Sequence, residues 1–212
     1  VSVTSVVHKA EQTTLERPAF LSKDGLTAAE MGTALHAFLE HADFAALAAV
    51  RQAGDDAVLD AIRSERQRQV GAQLTPPEIA EKLDTVKILR FVRSEAFERI
   101  CAAKEVLREL AFITSLPASE VMAAQGREQP EGEAANAGVL VQGIADLVLV
   151  FPDHLELLDY KTDRRKGRAD FLRAYHAQLE LYARAIDKRF APRRVTYKGI
   201  YSLELGELIE VK

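Results

Sequence analysis

Two apolar runs, Val139 to Phe151 and His154 to Thr162, flank the turn-forming pair Pro152-Asp153, and no other stretch restricts the fold as much. β-Branched and leucine-rich runs separated by two turn residues predict antiparallel strands joined as a hairpin. A two-residue loop pairs Phe151 with His154, and carrying that register back sets Asp146 directly opposite Asp159. Alternation assigns Val148, Val150, Leu155, Leu157 and Lys161 to the Asp146 face, and Leu147, Leu149, Phe151, Leu158 and Tyr160 to the other. Both faces are apolar, so the hairpin is predicted to be buried on both sides.

Facing carboxylates on such a ribbon have Cβ atoms roughly 4.5–5.5 Å apart; they repel, and one pKa rises unless a cation lies between them. A hard divalent ion, Mg²⁺ with Mn²⁺ as substitute, answers this simply, because it accepts one or two carboxylates and keeps waters for a phosphate-bearing substrate. Lys161 beside it would orient or deprotonate water, or steady a phosphate. Asp-x-Lys alone is equally a solvated ion pair of small worth. Gly143-x-x-Asp146, twelve intervening residues and then Asp159-Tyr160-Lys161, all on apolar strands, favour the metal because uncompensated buried charge is costly.

The rest of the 212 residues bound the answer. The length fits one domain with a real core, a mainly helical part over residues 1–104 and a sheet core over 105–212. Apolar residues at 48% exclude a disordered chain, and no apolar run approaches the roughly 20 residues of a membrane span. The single cysteine, Cys101, can form no internal disulfide and cannot hold an iron–sulfur cluster. A net charge of −4 argues against indiscriminate coating of DNA, but Arg164, Arg165, Lys166 and Arg168 follow the Asp-Tyr-Lys strand and Arg173 comes soon after. They are either phosphate contacts or a solvated loop. No Gly-rich phosphate loop ending in Lys-Ser/Thr occurs, so no ATP site is predicted. A start at Val1, without methionine or a basic-then-apolar leader, reads as a piece excised from something longer and gives no sign of secretion.

Along the chain, residues 1–5 suit a short strand or docked tail, and residues 17–21 around Pro18 are extended. Thr27 to Glu30 is a capping box opening a helix through about Val50, with Met31, Leu35, Phe38, Leu39 and Ala42 as its stripe and Gly32 allowing close approach to a neighbour. Asp55 to Gly71 is a second helix, Thr75-Pro-Pro-Glu78 opens a third running to Val92, and Ser94 restarts a short one ending near Lys104. Arg63, Arg66 and Arg68 read as a solvated face more readily than as a path for nucleic acid. Val106 to Thr114 is a strand, Gln125 to Ala137 a flexible linker, and Glu120 a solvated charge. Asp170 to Arg189 is a helix placing Gln178 and Tyr182 on one face, and Val195 to Val211 a closing hairpin around Gly206. Helices before and after the hairpin give an α/β chain with a mixed central sheet.

Gly143-Ile-Ala-Asp146, Leu158-Asp159-Tyr160-Lys161-Thr162-Asp163, Gln178 and Tyr182 together resemble the RecB-like branch of the PD-(D/E)XK nuclease superfamily. Arg17-Pro18-Ala19-Phe20-Leu21 and Gly32-Thr33-Ala34-Leu35-His36 extend the resemblance to the nuclease domain of AddA-type helicase-nuclease subunits, over nearly the whole chain. The resemblance implies a restriction-endonuclease-like core and metal-dependent exonuclease hydrolysis of DNA phosphodiesters at double-strand break ends, in the bacterial cytoplasm. Asp146, Asp159 and Lys161 would be catalytic, with the metal held by His36, Asp146, Asp159 and the Tyr160 carbonyl. Glu109 would be a metal-shell carboxylate or an ordinary edge-strand charge. Gln178 and Tyr182 would contact DNA or brace the site, with Arg164 and Arg165 on the backbone. It further implies a helicase region in a longer parent chain and an AddB-like partner subunit, with no membrane involved. The rival reading is a catalytically silent nuclease-fold module for DNA holding or subunit docking.

Overall fold

The computed structural model describes residues 27–164 and 166–212, so the expectations for residues 1–5 and 17–21 and for Arg165 lie outside the described residues. Five strands form one sheet in chain order: β1 Glu105–Pro117, β2 Gly138–Val150, β3 Leu155–Lys161, β4 Val195–Ser202 and β5 Glu207–Glu210. β1, β2 and β3 are an antiparallel meander, β3 and β4 pair in parallel, and β5 returns antiparallel. The sheet is therefore mixed, as expected. A parallel pair needs a crossover, which the long helix Arg168–Phe190 supplies between β3 and β4.

Among the described residues six helices precede the sheet: α1 Ala28–His41, α2 Phe44–Val50, α3 Asp55–Gly71, α4 Pro77–Ala80, α5 Thr85–Arg93 and α6 Glu95–Ala102. The crossover helix is α8, because a short α7, Ala118–Ala124, lies between β1 and β2. The Thr27–Glu30 capping box forms in both directions. The helix it opens does not run to Val50, because Ala42 is extended and the Asp43 carboxylate accepts from the Ala46 amide at 3.0 Å to start α2. Nor does Thr75 cap a long helix. Its buried hydroxyl donates to Gln69 at 3.0 Å, and after one turn of α4 the Asp84 side chain starts α5 afresh. The linker over 125–137 contains a 3₁₀ turn, Gly132–Asn136, and Glu120 on α7 reaches Arg184 at 3.6 Å instead of standing alone in solvent.

The sheet is covered on both faces. Helices α1–α6 pack on one side with Leu147, Leu149, Leu158, Tyr160 and Tyr201. On the other, α8 packs with Val148, Val150, Leu155, Leu157 and Ile200. The first core is aromatic: Phe91 lies 5.1–5.4 Å, centre to centre, from Phe97, Tyr160 and Tyr201. Each such side chain fully buried contributes about 1.5–3 kcal/mol.

One departure decides where the chemistry sits. Phe112, Leu116, Val141 and Ala145 pack on the α8 side, yet further along the same strands Leu147 belongs to the α1 side and Val148 to the α8 side. Alternation thus slips by one residue in β2 between Ala145 and Val148. Opposite, Leu107 and Leu110 both pack toward the α8 side while Arg108 lies over the Phe44 ring. Glu109, between them, adopts the left-handed region at φ 45°, and the Glu109/Asp146 pair alone is missing from an otherwise unbroken register. Both strands turn over together, which keeps the register and places Arg108, Glu109, Asp146 and Leu147 on the α1 face. The even alternation expected for Asp146 is therefore corrected: it leaves the face of Val148 and Val150.

Candidate metal centre

α1 brings His36 to this break. A Cβ on Gly32 would lie 2.6 Å from Thr162 Oγ1, so the helix packs closely against the end of β3 and a side chain there would force a shift. One turn later, His36 Nδ1 is 3.6 Å from Asp146 Oδ2. Donor atoms of His36, Glu109 and Asp146 all lie within 4.8 Å of one another, the one such cluster of His, Cys, Asp and Glu among the described residues. The Tyr160 backbone acts on the imidazole as well, favouring its protonated form against burial.

The hairpin keeps the expected register from Val150↔Leu155 to Leu147↔Leu158, then its ladder stops one step short of Asp146 and Asp159. Asp146 instead accepts the Tyr160 amide on Oδ2 at 2.7 Å. Asp159 alternates with Leu155 and Leu157, on the α8 side, where Lys161 Nζ meets its Oδ2 at 2.6 Å and sits 4.6 Å from the Tyr175 ring centre. The two acids that face each other across strands are therefore Glu109 and Asp146, not Asp146 and Asp159. Asp159 approaches from the far side of the strand end.

The electrostatics follow from that crowding. Burial, and after it Asp159, pushes the Asp146 carboxyl well above its usual range. Burial raises Glu109, helped by Glu40 and Asp159. Burial and then Lys161 lower the His36 imidazole, keeping it neutral with a lone pair to offer. Burial opposes the charge on Lys161, but Asp159 and Asp146 outweigh it and hold the ammonium above its ordinary value. An ammonium in that seat can donate to a water or a phosphate in the cleft.

Two carboxylates raised by burial and by the nearby Asp159, beside a neutral imidazole and a backbone carbonyl, make a donor set for a hard divalent cation. A profile of the family described as the PD-(D/E)XK nuclease superfamily matches residues 9–207. The chain belongs to the PD-(D/E)XK nuclease superfamily. It is 37% identical over 200 residues to a protein of Heliobacterium modesticaldum, covering 90% of this chain and 13% of that protein. It is 35% identical to one of Geobacillus thermodenitrificans, covering 81% of this chain and 13% of the relative, and 33% identical to one of Bacillus mycoides, covering 92% and 15%. All three are named as ATP-dependent helicase/nuclease subunits of the A type, and the chain spans about one-seventh of their length.

Within this nuclease fold the remaining expected residues are placed as follows. Tyr182 is buried, edge-on to Phe112 at 5.0 Å, and a Cβ on Gly143 would lie 2.9 Å from both rings, which explains the glycine of Gly-x-x-Asp. Gln178 lies one turn before Tyr182 on the same helix, and burial raises the Tyr182 hydroxyl while Gln178 lowers it. Arg164 is exposed at a cleft of about 650 Å³ lined also by His36, Tyr160, Lys161, Asp163 and Lys166. Arg63 and Arg68 are engaged by Asp60 and by Glu65 with the His41 carbonyl, away from the cleft. A larger hollow, about 810 Å³, is lined by none of the candidate residues, and its Lys188 and Arg189 are spent on the Ser115 and Ala111 carbonyls of edge strand β1. Glu40 was not expected at the site, and Tyr175 read only as part of the apolar side of its helix. Glu40 lies one turn past His36, a spacing that could have flagged it; nothing local ties Tyr175 to a loop twelve residues away.

Proposed function

We propose that the chain is a divalent-metal-dependent deoxyribonuclease domain that hydrolyses phosphodiester bonds while processing double-strand break ends. The observation that carries this reading is the convergence of His36, Glu109 and Asp146 within 4.8 Å beside the strand end bearing Asp159 and Lys161. His36, Glu109, Asp146, Asp159 and the Tyr160 carbonyl would hold Mg²⁺ or Mn²⁺, which supplies Lewis-acid polarisation of the phosphate and a lowered water pKa. The remaining work belongs to the protein. Lys161 donates to the water or the scissile phosphate from its seat on Asp159. Arg164 and Lys166 engage neighbouring phosphates, with Arg165 beside them in sequence. Contact with phosphate carries no base readout, so cleavage should depend little on sequence.

Both halves of the chain contribute to the α1-side core, where α1–α6 interleave with β2–β4, and this supports reading it as one domain. No helix among the described residues is long and apolar enough to cross a membrane. From the relatives' name we further infer a longer cytoplasmic parent whose helicase region feeds DNA strands to this domain, alongside an AddB-like partner subunit.

The test is cleavage of labelled single-stranded DNA with Mg²⁺ or Mn²⁺ by the chain and by Asp159→Ala. We expect metal-dependent cleavage, abolished by chelation and reduced at least about a hundredfold in the variant. Equal cleavage by both proteins, or binding without cleavage, overturns the reading in favour of a silent module.

A further inference from the structure

Between β3 and α8, Thr162, Asp163, Arg164 and Lys166 line one wall of the 650 Å³ cleft. Beneath it lies Tyr175 on α8, buried, and absent from the cleft lining. Its Oη donates to Asp163 Oδ2 at 2.8 Å and accepts from Lys166 Nζ at 3.1 Å. Lys166 and Asp163 also pair directly at 2.9 Å, closing a triangle of three polar contacts. The ring of the same residue carries two ammonium groups, Lys161 Nζ at 4.6 Å from its centre and Lys166 Nζ at 4.7 Å.

A tyrosine present only to fill the core needs one partner for its hydroxyl, and phenylalanine would fill the same space. Here the hydroxyl is saturated in both directions by a loop acid and a loop base, while the ring, a separate chemical feature, faces the lysine of the Asp-x-Lys strand. Lys161 is thereby held between two fixed groups, the Asp159 carboxylate at 2.6 Å and the aromatic face, leaving its remaining donor directions toward the cleft. Lys166 is held so that the wall carrying it and Arg164 keeps one shape.

We propose that Tyr175 is a positioning residue for the nuclease reaction, its ring seating Lys161 at the scissile phosphate and its hydroxyl fixing the Asp163–Lys166 wall that grips flanking phosphates of a single DNA strand. This rests on the nuclease reading above. The two atom groups serve different steps, so they separate kinetically. Loss of the hydroxyl loosens binding of the strand, whereas loss of the ring also misplaces the donor at the reacting centre.

Steady-state cleavage of labelled single-stranded DNA with Mn²⁺ by the chain, Tyr175→Phe, Tyr175→Leu and Lys166→Gln tests this. We expect Tyr175→Phe and Lys166→Gln each to raise KM about tenfold with kcat within about twofold, and the double variant to add nothing further. Tyr175→Leu should show the same KM and a kcat at least about tenfold lower, with the aromatic variant restoring it. Equal kcat in the Phe and Leu variants, additive KM effects in the double variant, or a lowered melting temperature with unchanged kinetics each overturns the proposal. Should Tyr175→Leu not fold, non-additivity of Tyr175→Phe with Lys166→Gln decides. Should the unsubstituted chain not cleave, the nuclease reading fails instead. The same non-additivity read from single-strand affinity with Ca²⁺ then decides for Tyr175.

Discussion

Asp146 concentrates the energetic cost of this site in one carboxyl. Its pKa is raised by burial and then by Asp159, so the folded chain binds this proton more tightly than the unfolded chain, where an aspartate titrates near about 3.9. Between those two values the native state holds more protons, and stability therefore falls as pH rises through that interval. Above it the penalty is complete, unless a divalent ion supplies the counter-charge. Asp146→Asn still offers an amide oxygen to the Tyr160 N–H, so without metal at about pH 8 it should melt higher than the unsubstituted chain. It should also lose the Mn²⁺-induced rise, about 2.7 kcal/mol at a hundred times Kd, or roughly 5–10 °C for a chain of this size. Calorimetry with and without chelator reads both, and an asparagine variant melting lower at that pH would sink the account. Glu109 stores a second cost in its backbone. Left-handed φ on a residue with a Cβ costs about 1–2 kcal/mol, partly offset by the extra chain entropy that glycine loses on folding. Glu109→Gly should therefore be more stable than Glu109→Ala by about 0.5–1 kcal/mol in urea, while both lose Mn²⁺ affinity alike. Equal stabilities would mean that the strand break is not held against strain.

At the level of elements, the hairpin was the legible part. The Pro152-Asp153 turn fixed a register that the ladder follows from Val150↔Leu155 to Leu147↔Leu158, and both faces are buried as the apolar alternation implied. What the sequence could not show is the joint slip at Glu109 and Asp146, because a break shared by two partner strands preserves their pairing and leaves no gap in the pattern of residues. The parity argument therefore put Asp146 opposite the wrong acid. Helix ends failed for a related reason. Asp43 and Asp84 are good caps, but each lies inside an apolar stripe that reads as continuous until the chain bends. Gly32, by contrast, was read correctly as a point of close approach, and it sets the position of His36. Gly32→Ala should gain about 0.8–1 kcal/mol of helix propensity yet push α1 away from Thr162. We expect at least about a tenfold loss of Mn²⁺ affinity, largely restored by adding Thr162→Ala, which removes the Oγ1 lying 2.6 Å from the new methyl. If the double variant binds metal no better than the single, contact with Thr162 does not set the histidine's place.

Across the whole molecule, the acidic balance and the small basic wall fix how the chain can meet a polyanion. Net charge is −4, so the far field repels DNA, and the cations standing at the cleft are Lys161, Arg164 and Lys166. Lys161 is taken up by Asp159, and Lys166 is shared with Asp163, so few cations remain to displace counterions. With Arg164 and Lys166 meeting about two phosphates of a single strand, the slope of log K against log salt should be about −1.4. A protein built to hold DNA by itself would use six to ten such contacts and lose about three to five decades of affinity over a fourfold rise in salt. The shallow slope expected here would agree with the proposal that a strand is delivered to this domain. Fluorescence anisotropy of a labelled single strand, titrated with Ca²⁺ present across that salt range, measures the slope directly. A value steeper than about −4 would reveal a basic surface beyond the cleft and remove the reason to infer delivery by a motor.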